Sequence, residues 1–215
     1  MTVSRLLGAF VVTCLAVPLL SGCFTFGAKP KIVVHTYQLD YDAPEPADAS
    51  LPVVVQVAPF RIAAAYDRQA IVYRDTRYAT NTYFYHRWAA RPARMLTDLI
   101  TRDLARSRRY QAVEQAPGGV AADFMMQAHV EEIEEIPAAA GACTAHLRLG
   151  VVVARTHTRG SPVVFQNTYS GDEACPCNAP EALAAAMSRA AATISQQLQA
   201  DLAEAIAKDL ASKHR

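Results

Sequence analysis

The spacing of apolar and polar residues changes several times along the chain, and each change predicts a new element. β-Branched and aromatic residues are dense in 31–41 and 51–60, which predicts two strands joined by a proline-containing loop over 42–52. The second of these strands has no polar face, which is typical of a central strand. Two short strands are expected next, near residues 70–74 and 83–88.

Helical spacing is found twice. The first helix is expected to open at Pro92, because the first turn of a helix tolerates a residue without an N–H. Apolar residues then recur every three or four positions from Met95 to Leu104. A long alanine-rich stretch over 180–210 predicts the second helix, with a buried stripe that runs from Leu183 to Leu210.

The region between the helices has the alternating pattern of strands. A short strand is predicted over 110–115, a longer one over 123–136, and a hairpin from 144–155 paired with 163–170. The order is therefore strands, helix, strands, helix. This order predicts an α+β fold: a single domain in which two main helices pack on one face of a mostly antiparallel sheet.

The N-terminal segment has the features of an export signal. An apolar run over 6–20 follows Arg5; it is short for a membrane-spanning helix but has the length of a secretory signal core. It ends in Leu20-Ser21-Gly22-Cys23, which resembles the bacterial lipobox, where the cysteine is acylated and the chain is cut before it. This resemblance implies lipidation of Cys23. A plain signal peptide with a chance cysteine is the alternative.

These observations divide the chain into a lipoprotein signal peptide over 1–22, a lipidated tether over 23–31 and a folded domain over 32–211. Bacterial lipoproteins with Asp after the cysteine tend to stay in the inner membrane. The residue here is Phe24, so the resemblance favours the outer membrane, with the domain facing the periplasm.

Charge excludes one class of partner. The chain has 21 basic and 20 acidic residues, and removal of 1–22 takes away Arg5 and no acid. The remaining chain has 20 of each and a formal net charge of zero with histidine neutral. With this net charge, no strong overall field draws the chain to nucleic acid or anionic lipid, so we expect no nucleic-acid partner.

Three cysteines remain after Cys23. If the hairpin turn lies at 159–160, Cys143 is one residue out of register with both Cys175 and Cys177. We therefore predict a disulfide from Cys143 to one of these two, as expected in an oxidising compartment. Two alternatives stay open: free thiols, or a zinc site in which His146 joins the three cysteines.

The sequence has none of the common catalytic motifs: it lacks G-x-S-x-G, H-E-x-x-H, the phosphate-binding P-loop and G-x-G-x-x-G. We therefore expect no enzymatic activity, no resident metal and no cofactor besides covalent lipid on Cys23. A general base at His86 is the alternative to a structural or interface histidine there. The acidic residues at 131, 132, 134 and 135 are interpreted as a solvated or edge strand, since they lack the spacing of a calcium loop.

Residues 61–88 mix tyrosine, tryptophan and arginine. These residue types dominate the binding energy of many protein interfaces, although some of them could equally belong to the core. We predict that this segment binds a protein partner. The predicted partner-binding residues are Tyr66, Arg68, Tyr73, Arg74, Tyr85, His86, Arg87 and Trp88.

Four short motifs in order carry a family resemblance. They are Tyr37-Gln38-Leu39, then Val55-x-Val57-x-Pro59-Phe60, then Tyr66-x-Arg68-x-x-Ile71-Val72-Tyr73-Arg74, and finally Tyr85-His86-Arg87-Trp88-Ala89 before the proline-started helix. Together they resemble the ABC-type transport auxiliary lipoproteins, over nearly the whole chain after Cys23. The hairpin cysteines are not part of that pattern.

The resemblance implies a non-catalytic adaptor on the outer membrane. Such a lipoprotein works with an MCE-domain protein, and indirectly with the permease and ATPase of an intermembrane lipid transport system, and is compatible with a homo-oligomer. The alternative is a structural lipoprotein that assists assembly of an outer-membrane protein or lipopolysaccharide. A periplasmic hydrolase is a third hypothesis, which requires a site of unfamiliar type.

Overall fold

A computed structural model describes residues 32–158, 160 and 162–213. The predicted signal peptide, the lipidated Cys23 and the tether over 23–31 lie outside the described residues. Within the described residues, no helix combines the length and the apolar character needed to cross a membrane.

The described chain folds into nine strands, two α-helices and a short 3₁₀ helix at Ala139–Gly141. In chain order the elements are β1 (His35–Tyr37), β2 (Leu51–Val57), β3 (Arg61–Ile62), β4 (Ala70–Thr76), β5 (Ala79–Trp88), α1 (Pro92–Arg106), β6 (Tyr110–Gln115), β7 (Phe124–Pro137), β8 (Ala142–Arg155), β9 (Val163–Pro176) and α2 (Pro180–Lys213).

All nine strands belong to one sheet, and β7 is its centre. On one side of β7 lie β8 and then β9, both antiparallel and paired over nearly their full lengths. The other side of β7 is shared by three shorter strands, all parallel to it: β2 beside Phe124–Met126, β3 beside His129–Val130 and β4 beside Glu135. Beyond them, β6 pairs with β2, while β5 and then β1 extend the sheet from β4.

The core lies between one face of this sheet and the two helices. Every second residue of β8 from Cys143 to Val153 is buried, as the period of a half-covered strand requires. Helix α2 packs on β8 and β9, and α1 packs on β6 and touches α2. Gly171 of β9 allows close packing, since a Cβ there would lie 3.0 Å from the Cβ of Ala190 on α2.

A buried carboxylate joins the two helices. Asp103 of α1 has no exposed surface, and Arg102 beside it donates to its Oδ1 over 2.9 Å. Its Oδ2 accepts hydrogen bonds from Ser195 of α2 over 2.6 Å and from Tyr41 over 2.8 Å. Burial and the neighbouring Asp103 carboxylate raise the pKa of Tyr41 well above its usual range.

The predicted α+β fold with two helices on a mostly antiparallel sheet is confirmed. Two strand predictions need correction. The strand expected over 31–41 is limited to β1, because among the described strands β1 pairs with β5 alone and at three positions. The two strands expected near 70–74 and 83–88 are longer and form a single hairpin, β4 and β5.

Candidate partner-binding surface

The predicted partner-binding residues divide by exposure. Arg68, Tyr85 and Arg87 are exposed. Tyr66 and Trp88 are buried, with exposed fractions of 7% and 2%. The prediction that these two residues contact a partner is therefore wrong, because their rings are part of the core. The half-buried members are Tyr73, Arg74 and His86.

Tyr66 and Arg74 converge on a buried carboxylate of β7. The side chain of Glu134 has no exposed surface, while that of Arg74 keeps 26%. Arg74 donates from Nε to Oε2 over 3.2 Å and also from Nη2 to Oε1, so the pair is bidentate. The Tyr66 hydroxyl donates to Oε1 over 3.0 Å. Burial, followed by the charge of Glu134, raises the pKa of Tyr66 to about 12.

Glu135 is buried too, on the opposite face of β7, because successive residues of a strand point to opposite faces. Its Oε2 accepts a hydrogen bond from the Tyr83 hydroxyl over 2.7 Å, and its Oε1 accepts one from the backbone N–H of Asn178 over 3.3 Å. The solvated or edge strand expected for this acidic run is therefore wrong for Glu134 and Glu135. The strand is central, and each carboxylate has its own donors.

The first two acidic residues of the run, Glu131 and Glu132, are half-exposed and contact polar side chains of β8. Glu131 accepts from Nε of Arg148 over 2.8 Å. His146 lies between Glu132, 2.7 Å from its Nε2, and Asp172, 2.6 Å from its Nδ1. The zinc alternative is thereby excluded for His146, which is three residues after Cys143 and so lies on the other face of the strand.

The disulfide prediction is confirmed for one of its two alternatives. Cys143 is bonded to Cys177, with Cα atoms 5.0 Å apart. Cys175 is free and buried, and it stands directly opposite Cys143 in the ladder. The predicted register was therefore wrong by one residue. Burial raises the pKa of the Cys175 thiol.

Tyr85, His86, Arg87 and Trp88 lie in or beside a bulge of β5. Val72 of β4 is opposite Thr82, and Ala70 is opposite Arg87, so four β5 residues oppose the single intervening β4 residue. We call these four residues, Tyr83–His86, the aromatic bulge. Bulges of this kind bend a strand and redirect its side chains.

Two members of the aromatic bulge point inward and two are exposed. His86 stacks on His35 of β1 with ring centroids 5.2 Å apart, and its Nδ1 is 3.0 Å from the hydroxyl of Tyr37. These contacts give His86 the structural role rather than that of a general base. Phe84 and Tyr85 touch edge to face, with centroids 4.8 Å apart. Their exposed fractions are 77% and 43%, so together they present an apolar surface to solvent.

Comparison with known proteins gives one family match. The model of a family described as "ABC-type transport auxiliary lipoprotein component" matches residues 37–212. The exposed Arg68, Tyr85 and Arg87 all lie inside the matched range. No curated protein matches the sequence.

Solved structures share the fold. The crystal structure of protein XCC0632 from Xanthomonas campestris, of the DUF330 family model, is 20% identical with a TM-score of 0.71, covering 82% of this chain and 98% of its own. The hypothetical protein CT253 from Chlamydia trachomatis is 9% identical with a TM-score of 0.51, covering 70% of this chain and 98% of its own. At these identities the likeness is one of fold alone.

Proposed function

This chain belongs to the family of ABC-type transport auxiliary lipoprotein components, and from that membership we propose that it is the outer-membrane adaptor of an MCE-type lipid transport system. The observation that carries the proposal is the family match over residues 37–212, which is nearly the whole described chain. In this proposal, lipid on Cys23 anchors the chain at the periplasmic side of the membrane. The domain then performs no chemistry and binds an MCE-domain protein, whose permease and ATPase it meets only indirectly.

We place the protein contact at the exposed arginines of the predicted segment. Arg68 borders a shallow depression on the sheet together with Val72 and Thr80–Thr82. Arg87 is exposed on β5, between β4 and β1. An exposed guanidinium offers several donors in a fixed plane, and arginine is enriched among residues that dominate binding energy. The matching surface of the partner should therefore present carboxylates or backbone carbonyls.

A pull-down tests this proposal. The full-length chain with a C-terminal tag is extracted from envelopes in mild detergent, and bound proteins are identified by mass spectrometry. We expect an MCE-domain protein with the wild type. It should be reduced severalfold with Arg68→Ser or Arg87→Ser, and retained with Arg94→Ser, whose side chain is also well exposed (68%) but lies on α1.

Each outcome of the pull-down bears on a different part of the proposal. A wild-type eluate without an MCE-domain protein refutes the adaptor function. A β-barrel or an assembly factor in its place favours the lipoprotein that assists outer-membrane assembly. Equal recovery with all three variants, each shown to be folded by circular dichroism, refutes the assignment of Arg68 and Arg87 alone. Loss of the chain from the membrane fraction in Cys23→Ala tests the anchor.

A further inference from the structure

We propose that the exposed part of the aromatic bulge, together with the residues that enter β1, lies in the headgroup region of the phospholipid bilayer to which the chain is anchored. We call this surface the membrane-facing patch; it consists of Val33, Val34, Phe84 and Tyr85. The inference rests on one part of the proposed function, the lipid anchor at Cys23, and is independent of the identity of the protein partner.

The four residues directly precede the first paired residues of β1 and β5. β1 runs parallel to β5, with His35 opposite His86. In a parallel pair the residues that precede each partner are neighbours as well, so Val34 comes beside Tyr85. The exposed fractions are 55% for Val33, 43% for Val34 and 77% for Phe84. Grouped apolar exposure of this kind marks an interaction surface rather than isolated surface residues.

The position of the patch along the chain favours a bilayer as its occupant. Val33 follows Cys23 by ten residues, which can span at most about 35 Å when fully extended. A lipid on Cys23 therefore keeps the start of β1 close to the bilayer. The stack of His35 on His86 holds the start of β1 against the aromatic bulge. The bulge is therefore kept close to the bilayer together with the start of β1.

Charge and residue type agree with this position. Residues 23–39 contain Lys29 and Lys31 and no acidic residue; the first acid is Asp40. Basic residues next to a lipid anchor are attracted to anionic headgroups, and stable anchoring commonly combines an acyl chain with a second signal. Aromatic side chains favour the boundary between headgroups and acyl chains. An acidic protein surface could satisfy the lysines but would leave Phe84 without a matching environment.

The consequence is a fixed orientation. A chain held by its lipid alone could turn freely about the tether, whereas a second contact through the patch turns the β1 and β5 edge of the sheet toward the bilayer. The β9 edge is the opposite end of the sheet, and it would then face away from the membrane.

Photo-crosslinking of the full-length chain in cells tests the inference. Phe84→p-benzoyl-phenylalanine and Val34→p-benzoyl-phenylalanine place a probe in the patch. Tyr78→p-benzoyl-phenylalanine is the matched control, because Tyr78 is 89% exposed and aromatic but lies in the β4–β5 turn. It is six residues from Phe84, about 20 Å along the strand. Cells are labelled with radioactive phosphate, and adducts are identified by mass spectrometry.

We expect phospholipid adducts severalfold more abundant at positions 84 and 34 than at 78. Lipid adducts that are equal at all three positions, or missing at 84, overturn the inference, and a protein adduct at 84 in place of lipid assigns the patch to a partner instead. Acylation of Cys23 is measured in the same cells. If Cys23 carries lipid and the pull-down still recovers the MCE-domain protein, a negative result counts against the patch alone. Without acylation, both the anchor and the patch are refuted.

Discussion

Replacing Arg74 by methionine should destabilise the domain substantially, although Arg74 lies partly at the surface. Methionine keeps much of the length of the side chain but removes the charge and both hydrogen bonds to Glu134. The carboxylate of Glu134 has no exposed surface, so it would keep only the hydroxyl of Tyr66 as a donor. An ionised carboxylate left in this state is strongly disfavoured.

The magnitude follows from the burial of the two partners. Removing one partner of a fully buried ion pair costs about 3–5 kcal/mol. Arg74 retains 26% exposure, so water can reach part of the vacated space, and we expect about 2–3 kcal/mol. In a domain of this size, each kcal/mol lowers the melting temperature by about 2–4 °C. The melting temperature of Arg74→Met should therefore fall by about 5–10 °C.

Thermal unfolding followed by circular dichroism measures this effect. The control is Arg94→Met, which breaks an exposed pair with Asp98 and should cost less than about 0.5 kcal/mol. In the double variant with Glu134→Gln, no buried charge remains and Tyr66 keeps an acceptor, so at least half of the lost stability should return. The reasoning is refuted if Arg74→Met has the same melting temperature as the wild type. It is also refuted if the double variant is no more stable than Arg74→Met.

Three further predictions concern titration, the disulfide and close packing. The pKa of Tyr66 in the folded chain, about 12, lies above its ordinary value of 10.0, so the neutral phenol adds stability that is complete below pH 10 and is lost as the pH rises through about 12. The free energy of unfolding, measured with urea, should therefore fall more steeply between pH 10 and 12 in the wild type than in Tyr66→Phe. In Cys177→Ser, Cys143 should bond to Cys175, which stands opposite, so the unreduced mass should still lack two hydrogens. Gly171→Val should cost about 1–3 kcal/mol in thermal unfolding, because the added Cβ would lie 3.0 Å from the facing helix.

Each of these predictions has a control. Equal pH slopes in the wild type and Tyr66→Phe would show that Tyr66 titrates as it does in the unfolded chain. Cys143→Ser removes the shared partner and should leave two free thiols; free thiols in Cys177→Ser as well would contradict the register argument. Gly119→Ala is the control for glycine replacement, because a Cβ added at Gly119 would have no packed neighbour within 4 Å. Its thermal stability should be nearly that of the wild type. A loss as large as that of Gly171→Val would contradict the packing argument.

Local signals predicted the elements that depend on local structure. Pro92 marked the first residue of α1, and the strand at Tyr110–Gln115 was found at its observed bounds. The buried Asp103 was overlooked, yet its signal was present: it follows Ile100 by three residues and so falls on the apolar stripe of α1. An acid on such a stripe indicates a buried polar partner.

Features set by distant residues could not be predicted. Glu134 is buried because Tyr66 and Arg74, 68 and 60 residues earlier, supply its donors. Nothing in the alternation around β7 reveals this. The aromatic bulge likewise results from unequal pairing between β4 and β5, so the sequence of β5 alone did not separate the exposed Phe84 and Tyr85 from the inward-facing Tyr83 and His86.

The central position of β7 has a consequence for how the chain folds. Without β7, the other described strands that precede it in the chain can form two separate pieces, one from β2 and β6 and the other from β4, β5 and β1. Each piece has an open edge that will later pair with β7, and open edges are sites of aggregation. An incompletely folded chain must therefore be kept apart from other chains until β7 and the β8–β9 hairpin have joined the sheet. Carboxyl-terminal truncations that end before β7 should accumulate as aggregates rather than as a smaller folded domain.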